Sequence, residues 1–230
     1  MTDLLSYELS GGIATISMND GKVNCLSLDM LKQLRAALDR AEGDQAVVIL
    51  TGRPGVFSAG FDLKVIQGGD PGQMVSMLRG GAELAERMLS FPFPVVVAST
   101  GHALAMGAFL TCSADLRIGA DGDFKYGLTE VAIGLTLPYF AVELCRHRLT
   151  KPHFDLAANT AQIYAPGAAL QAGFLDRVVP ADELSSAARA AGEAMLKLDF
   201  AAHQGTKLRV REHLLKALRT AIDSELVPPA

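Results

Sequence analysis

The tightest constraint on this chain is a pair of short, uninterrupted apolar runs, Val47-Val48-Ile49-Leu50 and Val95-Val96-Val97-Ala98. A strand without polar alternation has to be buried on both faces, which a parallel sheet covered by helices provides. The segments preceding both runs are helical in period. Ser27 stands at an N-cap position, Leu28, Leu31, Leu34, Ala37, Leu38 and Ala41 share one face, and the pattern ends near Gly43. Met74 to Leu89 carries Met77, Leu78, Leu84, Ala85, Met88 and Leu89 in the same manner. Gly107 to Ala114 then reads as a short helix and Leu116-Arg117-Ile118 as another strand. Ile13-Ala14-Thr15-Ile16-Ser17-Met18 alternates, and Tyr7-Glu8-Leu9 across Gly11-Gly12 suggests its hairpin partner. This alternation predicts an α/β fold with a largely parallel sheet and helical crossovers. From Pro138 onward the pattern is helical, broken at Pro152, Pro166-Gly167 and Pro180. We therefore expect a core over residues 1–174 and a helical region over 175–230 that serves assembly or closure of the site.

A chain of 230 residues, 50% of them hydrophobic and 20% charged, is long enough for one such core. A net charge of -4 argues against nucleic acid as a partner. Cys25, Cys112 and Cys145 are too widely spaced for a disulfide framework or a metal site, so no metal is expected and a reducing, cytoplasmic location fits. The run Met1-Thr2-Asp3-Leu4-Leu5-Ser6-Tyr7-Glu8 has acidic residues and no basic stretch, unlike a secretory or transit signal, and the mature chain is expected to begin there. Leu89 to Ala114 lacks charged residues and is long enough to suggest a membrane helix. Pro92, Pro94 and the turn residues Ser99-Thr100-Gly101-His102 break it, so a buried strand, a turn and a buried helix are expected and a membrane is not.

Two segments could carry chemistry. Val56-Phe57-Ser58-Ala59-Gly60-Phe61-Asp62-Leu63-Lys64 follows a buried strand, and small residues with a glycine allow a sharp turn that leaves a backbone N–H pointing outward. Read alone, it is a plain β-α connection. Gly101-His102-Ala103-Leu104-Ala105-Met106-Gly107-Ala108-Phe109 runs from a strand end into a helix, whose first N–H groups are free for developing negative charge. Read alone, it is a tightly packed helix start.

Together the two resemble the crotonase (enoyl-CoA hydratase/isomerase) superfamily, whose fingerprint is an F-S-A-G-x-D-L loop and a later G-x-A-x-G-G-G turn into a helix. Ser113-Ala114-Asp115-Leu116-Arg117-Ile118, Phe124 and Glu130-Val131-Ala132-Ile133-Gly134-Leu135-Thr136-Leu137-Pro138 resemble a third family tract, and Gly21-Lys22-Val23-Asn24-Cys25-Leu26 an early coenzyme A loop. The likeness runs from about Ile13 to Phe174. It implies a crotonase-like fold of repeated β-β-α units with a mostly parallel sheet and a helical C-terminal region, assembled as a homotrimer or homohexamer. It also implies an acyl-CoA thioester substrate and no separate cofactor, coenzyme A being part of the substrate.

Residue by residue, the resemblance maps the two oxyanion-hole N–H donors onto Phe61 and Met106 and a catalytic glutamate onto Glu130. Expected substrate-binding positions are Lys22, Val23, Ala59, Gly60, Asp62 and Leu63, followed by Lys64, Ala105, Gly107, Phe109, Tyr126 and Leu135. Family hydratases use a second glutamate, and its position here is Phe109, which cannot orient or deprotonate water. Family enoyl-CoA isomerases keep one glutamate in a context like Gly127-Leu128-Thr129-Glu130, so the resemblance favours Δ3-Δ2-enoyl-CoA isomerisation. The alternatives are hydration, with Asp62 or Glu143 as the missing acid, and an acyl-CoA-binding protein without turnover. Glu130 is expected in an apolar pocket with its pKa drawn toward neutrality. Thr129 and Ala105 depart from the family's proline and glycine.

Plainer readings apply elsewhere. Asp62 reads as a helix cap, Asp115 as a structural acceptor, His102 as a satisfied turn residue, and Tyr126 either lines the acyl pocket or packs beside it. Lys22, Lys64, Lys207 and Arg211 are candidates for coenzyme A phosphates. The chain carries no G-x-S-x-G elbow, H-E-x-x-H helix or Walker loop, which argues against a serine hydrolase, a zincin and a P-loop enzyme.

Overall fold

A computed structural model describes residues 3–227; Met1 and Thr2 of the N-terminal run, and 228–230 of the C-terminal region, lie outside the described residues. The chain opens with β1 (Leu5–Ser10) and β2 (Ile13–Met18), then α1 (Leu28–Gly43). Three similar units follow. The first is β3 (Val47–Thr51), β4 (Gly55–Ser58), α2 (Leu63–Gln67) and α3 (Pro71–Ser90); the second is β5 (Val95–Ser99), β6 (Gly101–Leu104) and α4 (Met106–Cys112). The third is β7 (Leu116–Ala120), β8 (Tyr126–Gly127), a 3-10 turn (Val131–Ile133) and α5 (Tyr139–Arg148). The remainder is α6 (Lys151–Thr160), α7 (Pro166–Ala172), β9 (Arg177–Val179), α8 (Leu184–Met195), α9 (Phe200–Val210) and α10 (Glu212–Glu225).

Each unit sends one strand to each of two sheets. The larger has the order β1-β2-β3-β5-β7-β9 and the smaller β4-β6-β8, and every pairing except β1 with β2 is parallel. The uninterrupted apolar runs are explained by what covers the larger sheet. Val48, Leu50, Val95 and Val97 face Leu34, Leu38, Leu84 and Met88 of α1 and α3. Val47, Ile49, Val96 and Ala98 face Leu184, Ala188 and Ala191 of α8 on the other side. Full burial of each large aliphatic side chain contributes about 1.5–3 kcal/mol, so both faces must be apolar for the layers to hold.

The helix ends follow local chemistry. Ser27 Oγ accepts the Met30 N–H at 3.2 Å, as its N-cap position predicts. The helix expected from Met74 starts earlier, at Pro71, because Asp70 caps it by accepting from Gly72 and Gln73 and proline suits the first turn. Pro152 likewise lies in the first turn of α6. The stretch from Pro138 onward is not wholly helical: β9 pairs parallel with β7 and completes the larger sheet beyond residue 174. Only three residues long and partly exposed, β9 gives almost no periodic signal. Among the described residues no helix is long and apolar enough to cross a membrane.

One buried ionic cluster ties the C-terminal helices to the sheet. Asp115, at the start of β7, accepts the Val95 N–H at 2.8 Å, Lys207 Nζ at 2.7 Å and Arg211 Nη2 at 2.8 Å. Its reading as a structural acceptor therefore agrees with the geometry. The phosphate-binding reading of Lys207 and Arg211 is corrected by it: both are 6% exposed, and they also donate to the carbonyls of Phe93 and Leu89. Cations this buried are held by partners and do not reach a ligand in solvent. Asp115→Ala should destabilise the protein by about 3–5 kcal/mol in a denaturant titration, because it strands two buried cations. A change below about 1 kcal/mol would show that the cluster does not hold α9 and α10 in place.

Candidate active site

The three parallel strands of the smaller sheet stop at one edge, and the chain beyond each carries a segment singled out in the sequence. After Ser58 of β4 come Ala59-Gly60-Phe61, after Leu104 of β6 come Ala105-Met106, and after Gly127 of β8 come Leu128-Thr129-Glu130. Carboxyl ends of parallel strands are where open α/β sheets place ligands.

At this edge the first two segments are pressed together. Gly60 has φ +97°, and a Cβ there would lie 2.8 Å from Ala105 Cβ, 3.1 Å from Leu104 O and 3.3 Å from Met106 N. No other residue type fits without moving backbone. Neighbouring amides are taken in turn. Ala59 N–H donates to Val23 O at 3.0 Å, Gly60 N–H to Ser58 Oγ at 3.1 Å, and Ala105 N–H to Gly127 O at 3.0 Å. The next amides, those of Phe61 and Met106, have no hydrogen-bond partner among the described residues. Ala105 reaches this geometry at φ +50°, a strained conformation for a residue with a side chain.

Over these amides lies a cavity of about 230 Å³. Ala59, Phe61, Ala105, Phe109, Thr129 and Glu130 line its inner part, and Leu63, Ile66, Met74, Leu78, Ile133, Leu135, Thr136 and Pro138 the rest. Glu130 is the only titratable side chain among them. A tight turn fixes it: Glu130 O accepts the N–H groups of Ile133 at 3.1 Å and Leu135 at 2.9 Å, and Gly134 supplies the left-handed residue at φ +78°. The Glu130 side chain is buried, and its Oε2 has no hydrogen-bond partner among the described residues. Burial raises its pKa to about 7, with its own and the Thr129 backbone N–H groups opposing only part of the rise. Phe109, another lining residue, is 1% exposed and its ring packs edge-on against Phe140 with centroids 5.8 Å apart.

The structure thus gathers Ala59, Phe61, Leu63, Ala105, Phe109, Glu130 and Leu135 of the expected positions around one cavity. Gly60, Met106 and Gly107 do not line it but adjoin lining residues in the chain; a Cβ on Gly107 would sit 2.4 Å from Ser58 O. Asp62 caps α2, accepting the Lys64 N–H at 2.9 Å. Tyr126 does not line the cavity. It is fully buried and donates to Ser99 Oγ at 3.0 Å, so packing beside the pocket is its role. His102 lies in β6 rather than in a turn, and it is satisfied there, its Nδ1 accepting the Lys125 N–H at 3.0 Å. Lys22, Val23 and Lys64 sit outside the cavity on exposed backbone. Burial, then Asp20 and Asp62, push the Cys25 thiol pKa up while Lys22 and Lys64 oppose the rise, which places both cations around one loop.

Sequence reasoning missed what holds that loop. Asp20 accepts the N–H groups of Lys22 at 2.7 Å, Asn24 at 2.9 Å and Cys25 at 2.9 Å. Asn24, fully buried at φ +51°, donates to Met18 O at 3.1 Å and Phe57 O at 3.0 Å. The signal was available in the turn residues Asn19-Asp20-Gly21.

Comparison with known proteins gives a consistent assignment. A family model described as enoyl-CoA hydratase/isomerase matches residues 8–227. The solved structure of an enoyl-CoA hydratase/isomerase family protein from Pseudomonas syringae superposes with a TM-score of 0.95 at 47% identity, covering 97% of this chain and 96% of that one. Human mitochondrial delta3-delta2-enoyl-CoA isomerase superposes with a TM-score of 0.93 at 29% identity, covering 97% and 89%. A putative enoyl-CoA hydratase from Thermus thermophilus is 33% identical over 90% of this chain and 82% of its own.

A raised carboxyl pKa has a cost that can be read as stability. Below about pH 4.5 Glu130 is protonated in the folded and unfolded chain alike, and above about 7 it is ionised in both, so stability is lost as pH rises between those values. Glu130→Gln removes this loss. The variant's stability relative to the parent should grow by about 3 kcal/mol from pH 4 to pH 8 in paired denaturant titrations. A constant difference would mean that the carboxyl titrates as in solvent.

Proposed function

The chain belongs to the enoyl-CoA hydratase/isomerase family, whose members act on acyl-CoA thioesters, and on that premise we propose that it catalyses Δ3-Δ2-enoyl-CoA isomerisation with Glu130 as the single proton carrier. The observation that carries this reading is that Glu130 is the only titratable side chain lining the cavity among the described residues. Hydration needs one group to activate water and another to protonate carbon, whereas a double-bond shift needs one base that returns the proton it removes.

In this reading the thioester oxygen accepts the Phe61 and Met106 N–H groups. Glu130 takes a proton from C2 of a 3-enoyl thioester, and the electron pair moves through C2 and C1 onto the oxygen to form a dienolate. The resulting carboxylic acid then protonates C4 as the double bond settles between C2 and C3, so the carboxylate is regenerated and nothing is added or lost. Each amide directed at the developing oxyanion lowers the barrier by about 3–4 kcal/mol. A pKa of about 7 suits both halves, because the group is basic enough to accept the proton and acidic enough to return it. Phe109, an apolar lining residue, offers no group that could activate water.

The hydratase alternative has less support. Asp62 caps α2, and Glu143 lies on α5 3.6 Å from Arg146; neither lines the cavity. Homotrimeric or homohexameric assembly belongs to the same proposal, supported by family membership and by the exposed Tyr139, Leu156 and Val210 on helix surfaces. Lys22 and Lys64, both exposed and both near Cys25, are the cations proposed for the coenzyme A phosphates.

Incubation of 3-enoyl-CoA with the protein in isotopically labelled water should give 2-enoyl-CoA without an added hydroxyl. Glu130→Gln should lower kcat by about 10²–10⁴-fold with acyl-CoA affinity kept, and parental kcat/KM should rise with pH and level off above about 7. Unchanged turnover in the variant, or a hydroxyacyl product from the parent, would refute the assignment.

A further inference from the structure

We infer that Cys112 and Cys145 form a reversible oxidation site, a buried dithiol that a small peroxide converts to a disulfide between α4 and α5. The two are far apart in the chain and no motif joins them, so the fold alone makes the pair. Contacts advance together along the two helices. At one end the Phe109 and Phe140 rings meet edge-on with centroids 5.8 Å apart. At the other, Arg148 Nε donates to Cys112 O at 2.8 Å and Arg148 Nη2 donates to Ala114 O. Between these contacts the Cys112 and Cys145 side chains are hydrogen-bonded to each other. Both residues are fully buried, and neither lines the cavity over Glu130.

A single buried cysteine packs as a small hydrophobe. This pair differs because its members are in contact and their surroundings divide the labour. The hydrogen bond from Cys145, and then Arg117 and Arg148, hold the Cys112 thiol pKa down against burial. Burial, and then the Cys112 hydrogen bond and charge, push that of Cys145 up, so it keeps its proton. An attacking thiolate beside a protonated resolving thiol is the arrangement that peroxide oxidation uses. The Cys112 thiolate attacks one peroxide oxygen, the O–O bond breaks, and the leaving hydroxide takes up the proton that Cys112 had released. Cys112 is then a sulfenic acid. The Cys145 sulfur displaces its hydroxyl, and the Cys145 proton leaves with that hydroxyl as a second water. Two thiols are oxidised by two electrons, one peroxide is reduced to two waters, and one S–S bond forms. Close packing around both sulfurs admits an oxidant near the size of water and excludes a bulky one such as oxidised glutathione. Cys25 supplies an internal comparison, since the groups acting on its thiol are Asp20, Asp62, Lys22 and Lys64 and include no cysteine.

The test exposes the folded parent to dilute hydrogen peroxide, then denatures it, alkylates the remaining thiols and maps the peptides by mass spectrometry. A Cys112–Cys145 cross-linked peptide, lighter by two hydrogens than its two parts, should be the main product, and dithiothreitol should return both cysteines to alkylation. Oxidised glutathione should leave both free. In Cys145→Ser a dimedone probe should capture a sulfenic acid at Cys112, whereas Cys112→Ser should give none at Cys145. The parent result needs no variant to fold. Two thiols that both stay free while Cys25 reacts, oxidation of either without the cross-link, or a cross-link that forms only after unfolding would overturn the inference.

Discussion

The chemistry available to this molecule depends on two strand ends lying closer than side chains ordinarily permit. Gly60 and Ala105 meet at a separation where a methyl group on Gly60 would collide with the Ala105 Cβ. Both residues adopt positive φ to reach it. The strained alanine costs on the order of 1–3 kcal/mol, and such strain persists only where surrounding structure fixes it. Here the fixing is done by a ladder that occupies the amides of Ala59, Gly60 and Ala105 and stops one residue short of Phe61 and Met106. Two unclaimed amides under a largely apolar cavity interact with developing charge far more strongly than they would in water.

Much of the fold was legible because its main signals are periodic. Continuous apolar runs announce the doubly covered strands, and Leu28 to Ala41 announces α1. The smaller sheet has no such signal: its strands run four, four and two residues, too short for a period to register. They were reachable only through the motifs that follow them. The same limit hid β9. Charged residues were harder still, since sequence does not say whether a lysine points outward. Lys207 and Arg211 look like surface cations on a helix, yet their partner Asp115 lies more than ninety positions away in the chain. Contacts at that separation are set by tertiary packing, to which local patterns are blind.

The cavity shows the same division. Its inner residues stand in the segments that carry the family resemblance, so Ala59, Phe61, Ala105, Phe109 and Glu130 could be named in advance through that resemblance. Ile66, Met74 and Leu78 come from ordinary amphipathic faces, where an apolar residue facing a cavity looks like one facing a core. Tyr126 failed in the opposite direction. It follows the family tract closely, but its position within β8 rather than beyond it turns the ring into the body of the protein, with Ser99 as partner.

Asp115 and Glu130 separate what a motif preserves for structure from what it preserves for chemistry. Both are poorly exposed carboxylates in one motif tract. Asp115 is surrounded by donors, including two cations and a backbone amide, so its charge is neutralised where it stands and it anchors two helices. Glu130 has an oxygen with no partner among the described residues and a pKa pushed toward neutrality, so its charge is penalised where it stands. A fold selected for stability alone would satisfy or replace such a group, since an unpaired buried polar atom costs about 1–3 kcal/mol. Its retention at the end of a strand, over two unclaimed amides, makes sense if the missing partner is a substrate proton. Satisfaction of hydrogen-bonding capacity, which sequence cannot display, is therefore the property that distinguishes the two acids, and it supports the role proposed for Glu130.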